Sequence, residues 1–143
     1  MKVKDIMVTD VKTTTPETTA QKAAKKMIEH GIGCLIVVSN GKLSGIVTER
    51  DMTKKIVMTG KSSPDTPVKN IMEKDVIMIG PESSVEDACE VMMDKKIKKL
   101  PVLEKDNLIG IITAMDIVAA QPKLLEQISE LFLMPGSKKA VAG

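Results

Sequence analysis

The sequence predicts a mixed α/β (α+β) fold in which one β-α-β-β-α pattern is used twice. Three observations carry that reading: an ungapped internal repeat, the same order of strand and helix signals in both copies, and the same strand-to-helix motif near each copy's end. VKDIM at 3–7 returns as VKNIM at 68–72, and LSGIVTERD at 43–51 returns as LIGIITAMD at 108–116, a constant offset of 65 positions. A solenoid needs three or more copies to bury its core, so two copies read as two small modules folded against one another. A site built at their seam would come in related pairs. The expected division is 1–60 for the first repeat, 61–67 for a linker, 68–120 for the second repeat, and 121–143 for a C-terminal helix and tail.

Each element has its own signal. Val11–Thr15 is a β-prone run closed by Pro16, and its counterpart Val76–Ile79 ends at Gly80-Pro81. Thr18-x-x-Gln21 and Ser83-x-x-Glu86 have the spacing of capping boxes, which predicts helix starts there. The helices that follow carry apolar stripes at i, i+3, i+4, i+7 and i+8: Ala20, Ala23, Ala24, Met27, Ile28 in one copy, and Val85, Ala88, Cys89, Met92, Met93 in the other. Cys34–Ser39 and Leu43–Thr48 form apolar strands joined at Asn40-Gly41, a strong hairpin signal. Leu100–Glu104 and Leu108–Thr113 flank Lys105-Asp106-Asn107 in the same way. A second helix is expected to start near Glu49 and near Ala114. Beyond the repeat, Leu124, Leu125, Ile128, Leu131 and Phe132 make one more apolar helical face, and Pro135 to Lys139 reads as a frayed tail.

Composition narrows the function classes. The chain has 143 residues, 43% apolar and 28% charged, with a net charge of +2, which is ordinary for a soluble globular protein. No apolar run approaches the ~20 residues a bilayer requires, and no apolar stretch behind the N-terminus resembles a signal peptide. The expected location is therefore cytoplasmic, without membrane association. Phe132 is the one aromatic residue, so stacking platforms for single-stranded nucleic acid are missing, and nucleic acid is not expected as a partner. Cys34 and Cys89 occupy non-equivalent positions and read as buried thiols; no spacing suggests a metal site. His30, the sole histidine, sits near a helix end where a cation has a structural role. With no triad, metal cluster, P-loop or dinucleotide fingerprint, no catalytic residue is assigned and the protein is not expected to be an enzyme.

The motif with chemistry in it is Gly-h-h-Thr-x-x-Asp, where h is apolar: Gly45 to Asp51 and Gly110 to Asp116. Two readings fit it. Thr48 with Asp51, and Thr113 with Asp116, can serve as capping boxes alone. They can also hold a ligand, since a carboxylate has two acceptor oxygens suited to a ribose cis-diol, and a helix N-terminus offers N–H groups to phosphate.

Taken together, the duplicated β-α-β-β-α pattern, the V-K-x-I-M entry, the Pro after the first strand, Leu100-Pro101-Val102 and the two Gly-h-h-Thr-x-x-Asp stretches resemble the CBS (cystathionine β-synthase-like) domain pair, or Bateman module. The resemblance covers about 3–120. It implies a pseudo-two-fold pair of three-stranded sheets with helices outside, and one or two clefts between the repeats. Such clefts bind adenosine-containing ligands such as AMP, ADP, ATP or S-adenosylmethionine, with no cofactor required. It also implies a homodimer and a regulatory role toward an effector protein that the sequence does not name. In similar domains the Asp binds the ribose, with the Thr hydroxyl near the ribose or phosphate. Adenine would then lie against Thr14, Thr15, Ile32 and Gly33 in the first repeat, and against Met78, Ile79, Ile97 and Leu100 in the second. Ile97-Lys98-Lys99-Leu100-Pro101-Val102 looks like the His-Arg-Leu-Pro-Val stretch of nucleotide-sensing relatives such as the AMP-activated kinase regulatory subunit. That puts Lys98 and Lys99 near phosphate in the second repeat, where the first has uncharged Gly33-Cys34. Conversely, Arg50 in the first repeat has Met115 as its counterpart. The rival expectation is a protein-interaction or dimerisation module with no nucleotide ligand.

Overall fold

Chain order and packing order differ in this protein. The computed structural model describes residues 1–133 and divides into two units. One is contiguous, Val11–Val76; the other is split, joining Met1–Asp10 to the chain from Ile77 onward. The V-K-x-I-M segment that opens each sequence repeat is therefore housed with the hairpin of the other repeat.

In the contiguous unit, β1 (Thr13–Thr14) runs parallel to β2 (Cys34–Ser39), which pairs antiparallel with β3 (Lys42–Thr48). Asn40 and Gly41 both take positive φ, 53° and 77°, the two-residue turn that matches the strands' twist. The pairing shifts between Val37 and Val38, leaving Ser44 as the extra residue of a bulge. The helix α2 (Ala20–His30) packs Ala20, Ala23 and Met27 into a core with Leu35, Val37, Val47, Ile56, Val68 and Ile71. The short α3 (Glu49–Met52) passes into a π-helical turn at Thr53–Val57.

The split unit repeats this plan around β4 (Lys99–Glu104) and β5 (Asn107–Thr113), with the bulge again one turn of register in, at Ile109. The N-terminal α1 (Val3–Ile6), α4 (Val85–Lys95) and α5 (Ala114–Ala120) pack against the hairpin, and α6 (Leu125–Phe132) packs on α4. Of the apolar face read at 124–132, Leu124, Ile128 and Leu131 join Ala88, Cys89, Met92 and Ile117 in the core and Phe132 packs against it, while Leu125 is 50% exposed. Cys34 and Cys89 are both buried, one in each unit.

Several expectations are corrected. The run Val76–Ile79 forms no strand; a single parallel bridge, Ile79 to Val102, stands in its place. Sheet order is β1-β2-β3 in one unit and β4-β5 in the other. Val11–Thr15 contracts to two residues, because Pro16 ends the ladder. Helix caps fall one residue later than the boxes predicted. Thr19 accepts the N–H of Lys22 at 3.2 Å and Ser84 that of Asp87 at 2.9 Å. The preceding residues are engaged elsewhere: Thr18 shares a hydroxyl bond with Thr15 at 2.7 Å, and the Ser83 carbonyl accepts the N–H of Val3 at 2.8 Å. Ile28, assigned to the core stripe, is 79% exposed. The second hairpin turns on Lys105 and Asp106 alone, with Asn107 already in β5. The tail at Pro135 to Lys139 lies outside the described residues.

The duplicated glycines explain the exchanged segments. A Cβ on Gly45 would lie 2.6 Å from the Glu73 carbonyl oxygen and 2.9 Å from Met72 Sδ; one on Gly110 would lie 2.6 Å from Met7 Sδ and 3.0 Å from the Val8 carbonyl oxygen. Glu73 and Ile46 exchange backbone hydrogen bonds at 2.8 and 3.0 Å, as Val8 and Ile111 do at 2.8 and 2.9 Å. Each V-K-x-I-M segment thus seats its methionine on the glycine of a hairpin, and only a bare Cα leaves room. Gly45→Ala is expected to destabilise by about 1–3 kcal/mol, the usual cost of overpacking. Gly110→Ala should cost less, because its nearest obstacle is the flexible end of Met7. Urea denaturation of the two variants checks the order.

A second tie holds the N-terminal segment in the split unit. Glu82 takes the amines of both Lys2 and Lys4. Hydrogen bonds from Lys2 and then Lys4 pull its carboxyl from 4.5 down to about 2. A depressed carboxylate contributes stability above its unfolded pKa and loses it as pH falls through the folded one. The contribution should therefore fade between about pH 4.5 and 2, and it should be small and salt-sensitive because the pair is exposed. Acid titrations of wild type and Glu82→Gln at low salt are expected to diverge above that window and merge below it.

Candidate ligand site

Each hairpin delivers its last strand into a helix through Thr-x-x-Asp, and the local geometry is the same in both units. The carbonyl of Gly33 accepts the N–H of Glu49 at 3.0 Å, and the carbonyl of Lys98 that of Ala114 at 2.8 Å. Thr48 and Thr113, in extended backbone, then cap the helices. Their hydroxyls accept the N–H of Asp51 at 3.2 Å and of Asp116 at 3.1 Å. The carboxylates reach back to the N–H groups of Thr48 and Thr113, both at 2.9 Å. The capping-box reading therefore holds for both copies. Two first-turn amides of each helix are already bonded, so fewer remain for phosphate than a bare helix start would offer.

Beyond the caps the copies diverge. Asp51 is 6% exposed and meets the amine of Lys55 at 3.2 Å, one helical turn on. That amine also donates to the Ile71 carbonyl at 2.8 Å and to Glu73 at 3.0 Å. Burial pulls the Lys55 pKa down, but the bonds to Glu73 and Asp51 outweigh it and the net shift is upward. Asp116 is half-buried, and the residue four on is Ala120. The i,i+4 spacing of Asp51 and Lys55 was visible in the sequence, yet the ion pair went unread there.

The remaining candidates fall as follows. Thr14 is buried beside Val37 in the sheet, and Thr15 is exposed. Ile32 packs against the core of the contiguous unit. Gly33 lies under the carboxylate of Glu49, which a Cβ there would meet at 3.4–3.6 Å. Arg50 is exposed on α3. In the split unit Met78 is exposed, Ile79 bonds across to Pro101 and Leu103, and Ile97 packs on the core. Leu100 is wholly buried in the core of its unit, and Pro101 is buried beside it in β4. Lys99 is half-buried in β4, while the amine of Lys98 sits 5.6 Å from the Phe132 ring centre, a cation–π distance.

The contiguous unit has two cavities. One, about 490 Å³, brings Thr14 and Thr15, both named from the sequence, together with Thr13, Thr18, Lys22 and Lys26, which were not, beside the hairpin turn; the Lys26 amine is bound to the Thr13 carbonyl. The other, about 560 Å³, is an apolar groove walled by Ala24, Ile28, Met52, Ile56 and Val57. Its signal was the unbroken apolar stripe of α2, read as core. Among the described residues no group of three or more His, Cys, Asp or Glu side chains could hold a metal ion, and no helix is long and apolar enough to cross a membrane.

Comparison with known proteins agrees with this geometry. The CBS domain family model matches twice, at residues 3–58 and 68–123. CBS domain-containing protein YhcV of Bacillus subtilis is 36% identical over 119 residues, covering 83% of this chain and 84% of that protein. The inosine-5′-monophosphate dehydrogenase of Korarchaeum cryptofilum is 39% identical over 117 residues, but these cover only 23% of that enzyme. Two further curated relatives are longer too, the chain spanning 63% and 54% of them. A CBS-domain protein from Burkholderia ambifaria superposes with a TM-score of 0.79 at 34% identity, covering 84% of this chain and 93% of that one. Two hairpins, each feeding a Thr-x-x-Asp cap and each completed by a V-K-x-I-M segment, together with these matches, place the chain in the CBS domain family as a tandem CBS repeat.

Proposed function

We propose that the protein is a non-catalytic regulatory module of the cytoplasm that binds an adenosine-containing ligand of the AMP, ATP or S-adenosylmethionine type. The observation that supports this reading most is the carboxylate of Asp116. It is anchored through one oxygen, half-exposed, and fixed in orientation by its cap. A pre-oriented carboxylate meets the two hydroxyls of a ribose without the entropy cost of ordering a free side chain. Lys99, on the strand beside Thr113, supplies positive charge in the same unit. The match to part of a dehydrogenase fits a module that regulates rather than catalyses. Asp116→Ala is expected to weaken adenosine-ligand binding by about 1.5–3 kcal/mol, the worth of a charged hydrogen bond. Calorimetric titration with AMP, ATP and S-adenosylmethionine measures it, and an unchanged affinity would reduce the motif to its capping role.

The protein also acts as a homodimer in this reading. In the split unit α6 covers the outer face of α4, whereas the equivalent face of α2 leaves Ile28 79% exposed, with Val57 and Met58 each 74% exposed. A two-fold contact would let Lys25 of one α2 meet Glu29 of the other across the apolar groove. The same face is what favours the interaction-module alternative. Light scattering at micromolar concentration should give twice the chain mass of 15.5 kDa, and Ile28→Lys should return it to the monomer value.

A further inference from the structure

Resting on the adenosine reading above, we infer that Lys55 seals the first Thr-x-x-Asp against ligand, so that the protein takes one adenosine-type ligand per chain, at Thr113 and Asp116. The duplicated sequence conceals a difference in available bonding capacity. Asp51 Oδ2 accepts both the N–H of Thr48 at 2.9 Å and the Thr48 hydroxyl at 3.1 Å, while Oδ1 faces the Lys55 amine at 3.2 Å. An ionised carboxylate oxygen has two acceptor directions, so Oδ2 is full and Oδ1 is half used inside a 6%-exposed side chain. The Thr48 hydroxyl has committed its one proton to Asp51 and accepts from the Asp51 N–H, so it has no proton left for a ligand.

Lys55 is itself held in place. Its three N–H bonds go to Asp51, to the Ile71 carbonyl at 2.8 Å and to Glu73 at 3.0 Å. A diol that displaced it would strip hydrogen bonds from a buried carboxylate and from the backbone at Ile71, and buried polar groups left unpaired are costly. The second copy has none of this. Asp116 Oδ2 accepts only the N–H of Thr113, at 2.9 Å, and among the described residues nothing bonds its Oδ1. The Thr113 hydroxyl accepts from Asp116 without donating to it, leaving its proton for a ligand. Ala120 replaces Lys55, so no amine reaches across.

The flanks point the same way. Against Gly33 lies the Glu49 carboxylate, a charge that repels phosphate; in the second copy the residue equivalent to Glu49 is Ala114, which brings no such charge. Lys55 is thus a specificity-determining residue: it converts one copy of a duplicated site into a structural clasp.

Stoichiometry is the readout, because a merely structural lysine would not alter it. AMP, ATP and S-adenosylmethionine are each titrated calorimetrically into the full-length protein and three variants. Wild type should saturate at one equivalent per chain. Asp116→Asn should lose at least tenfold in affinity, Asp51→Asn should stay within about twofold, and Lys55→Met, which keeps the aliphatic stem, should gain a second, weaker equivalent. Two equivalents in wild type would overturn the inference while leaving the adenosine reading intact. So would an Asp51→Asn loss as large as that of Asp116→Asn, or a folded Lys55→Met that still binds one. Should Lys55→Met fail to fold, the comparison of the two aspartate variants decides. If none of the three compounds binds wild type, the adenosine reading falls and the inference falls with it.

Discussion

The contact on which everything else depends is the seating of a methionine on a glycine. Met72 and the Glu73 carbonyl sit where a side chain on Gly45 would be, and Met7 and the Val8 carbonyl where one on Gly110 would be. That close approach lets the V-K-x-I-M segments lie directly against the hairpins they join. With it, each hairpin gains backbone hydrogen bonds along its free strand edge, at Ile46 and Ile111. An edge strand that would otherwise present unpaired amides is thereby covered at one point. The same hairpins aim Thr48 and Thr113 into the caps that hold the two aspartates, so the site geometry inherits its order from the glycine contacts.

Repetition made much of the fold legible. The hairpin at Asn40-Gly41 and the helix stripes were readable because turn chemistry and 3.6-residue periodicity are local signals. What was not readable was long-range. Nothing in VKDIM says which hairpin it will join, since both copies of the segment and both glycines are nearly alike. The bridge at Ile79 was over-read as a strand because β-propensity registers a run, not whether a partner lies beside it. The caps fall one residue later because a second hydroxyl, Thr19 or Ser84, follows the first residue of each box, and in the first copy the Thr18 hydroxyl bonds Thr15 instead, a choice that motif spacing does not encode.

The site was legible in part for the same reason. Duplication pointed to Asp51 and Asp116, and both stand in the predicted caps. It also implied that they were equivalent, which they are not. The difference rests on Lys55, a residue outside the motif whose weight comes from three bonds made at once. Lys98 adds a contact that the motif did not show: its amine lies 5.6 Å from the centre of the one aromatic ring in the chain. Ionic and ring contacts depend on which side chains the fold brings within a few ångströms, and α6, which supplies Phe132, lies beyond the repeat.

The split composition of one unit has a consequence for how the chain is made. Val11–Val76 is continuous, so it holds all its parts as soon as that stretch has left the ribosome. Met1–Asp10 emerges earlier still, yet the hairpin that receives Met7 ends at Thr113 and the core that receives Val3 includes Leu131. At roughly 5–20 residues per second, this leading segment is without its partners for several seconds. The contiguous unit can fold during that interval and hold the chain in place, while the split unit must close a long loop before its non-local contacts form. The exchange that builds the two hairpins therefore also sets a birth order, with the sealed copy of the motif completed first and the open copy last.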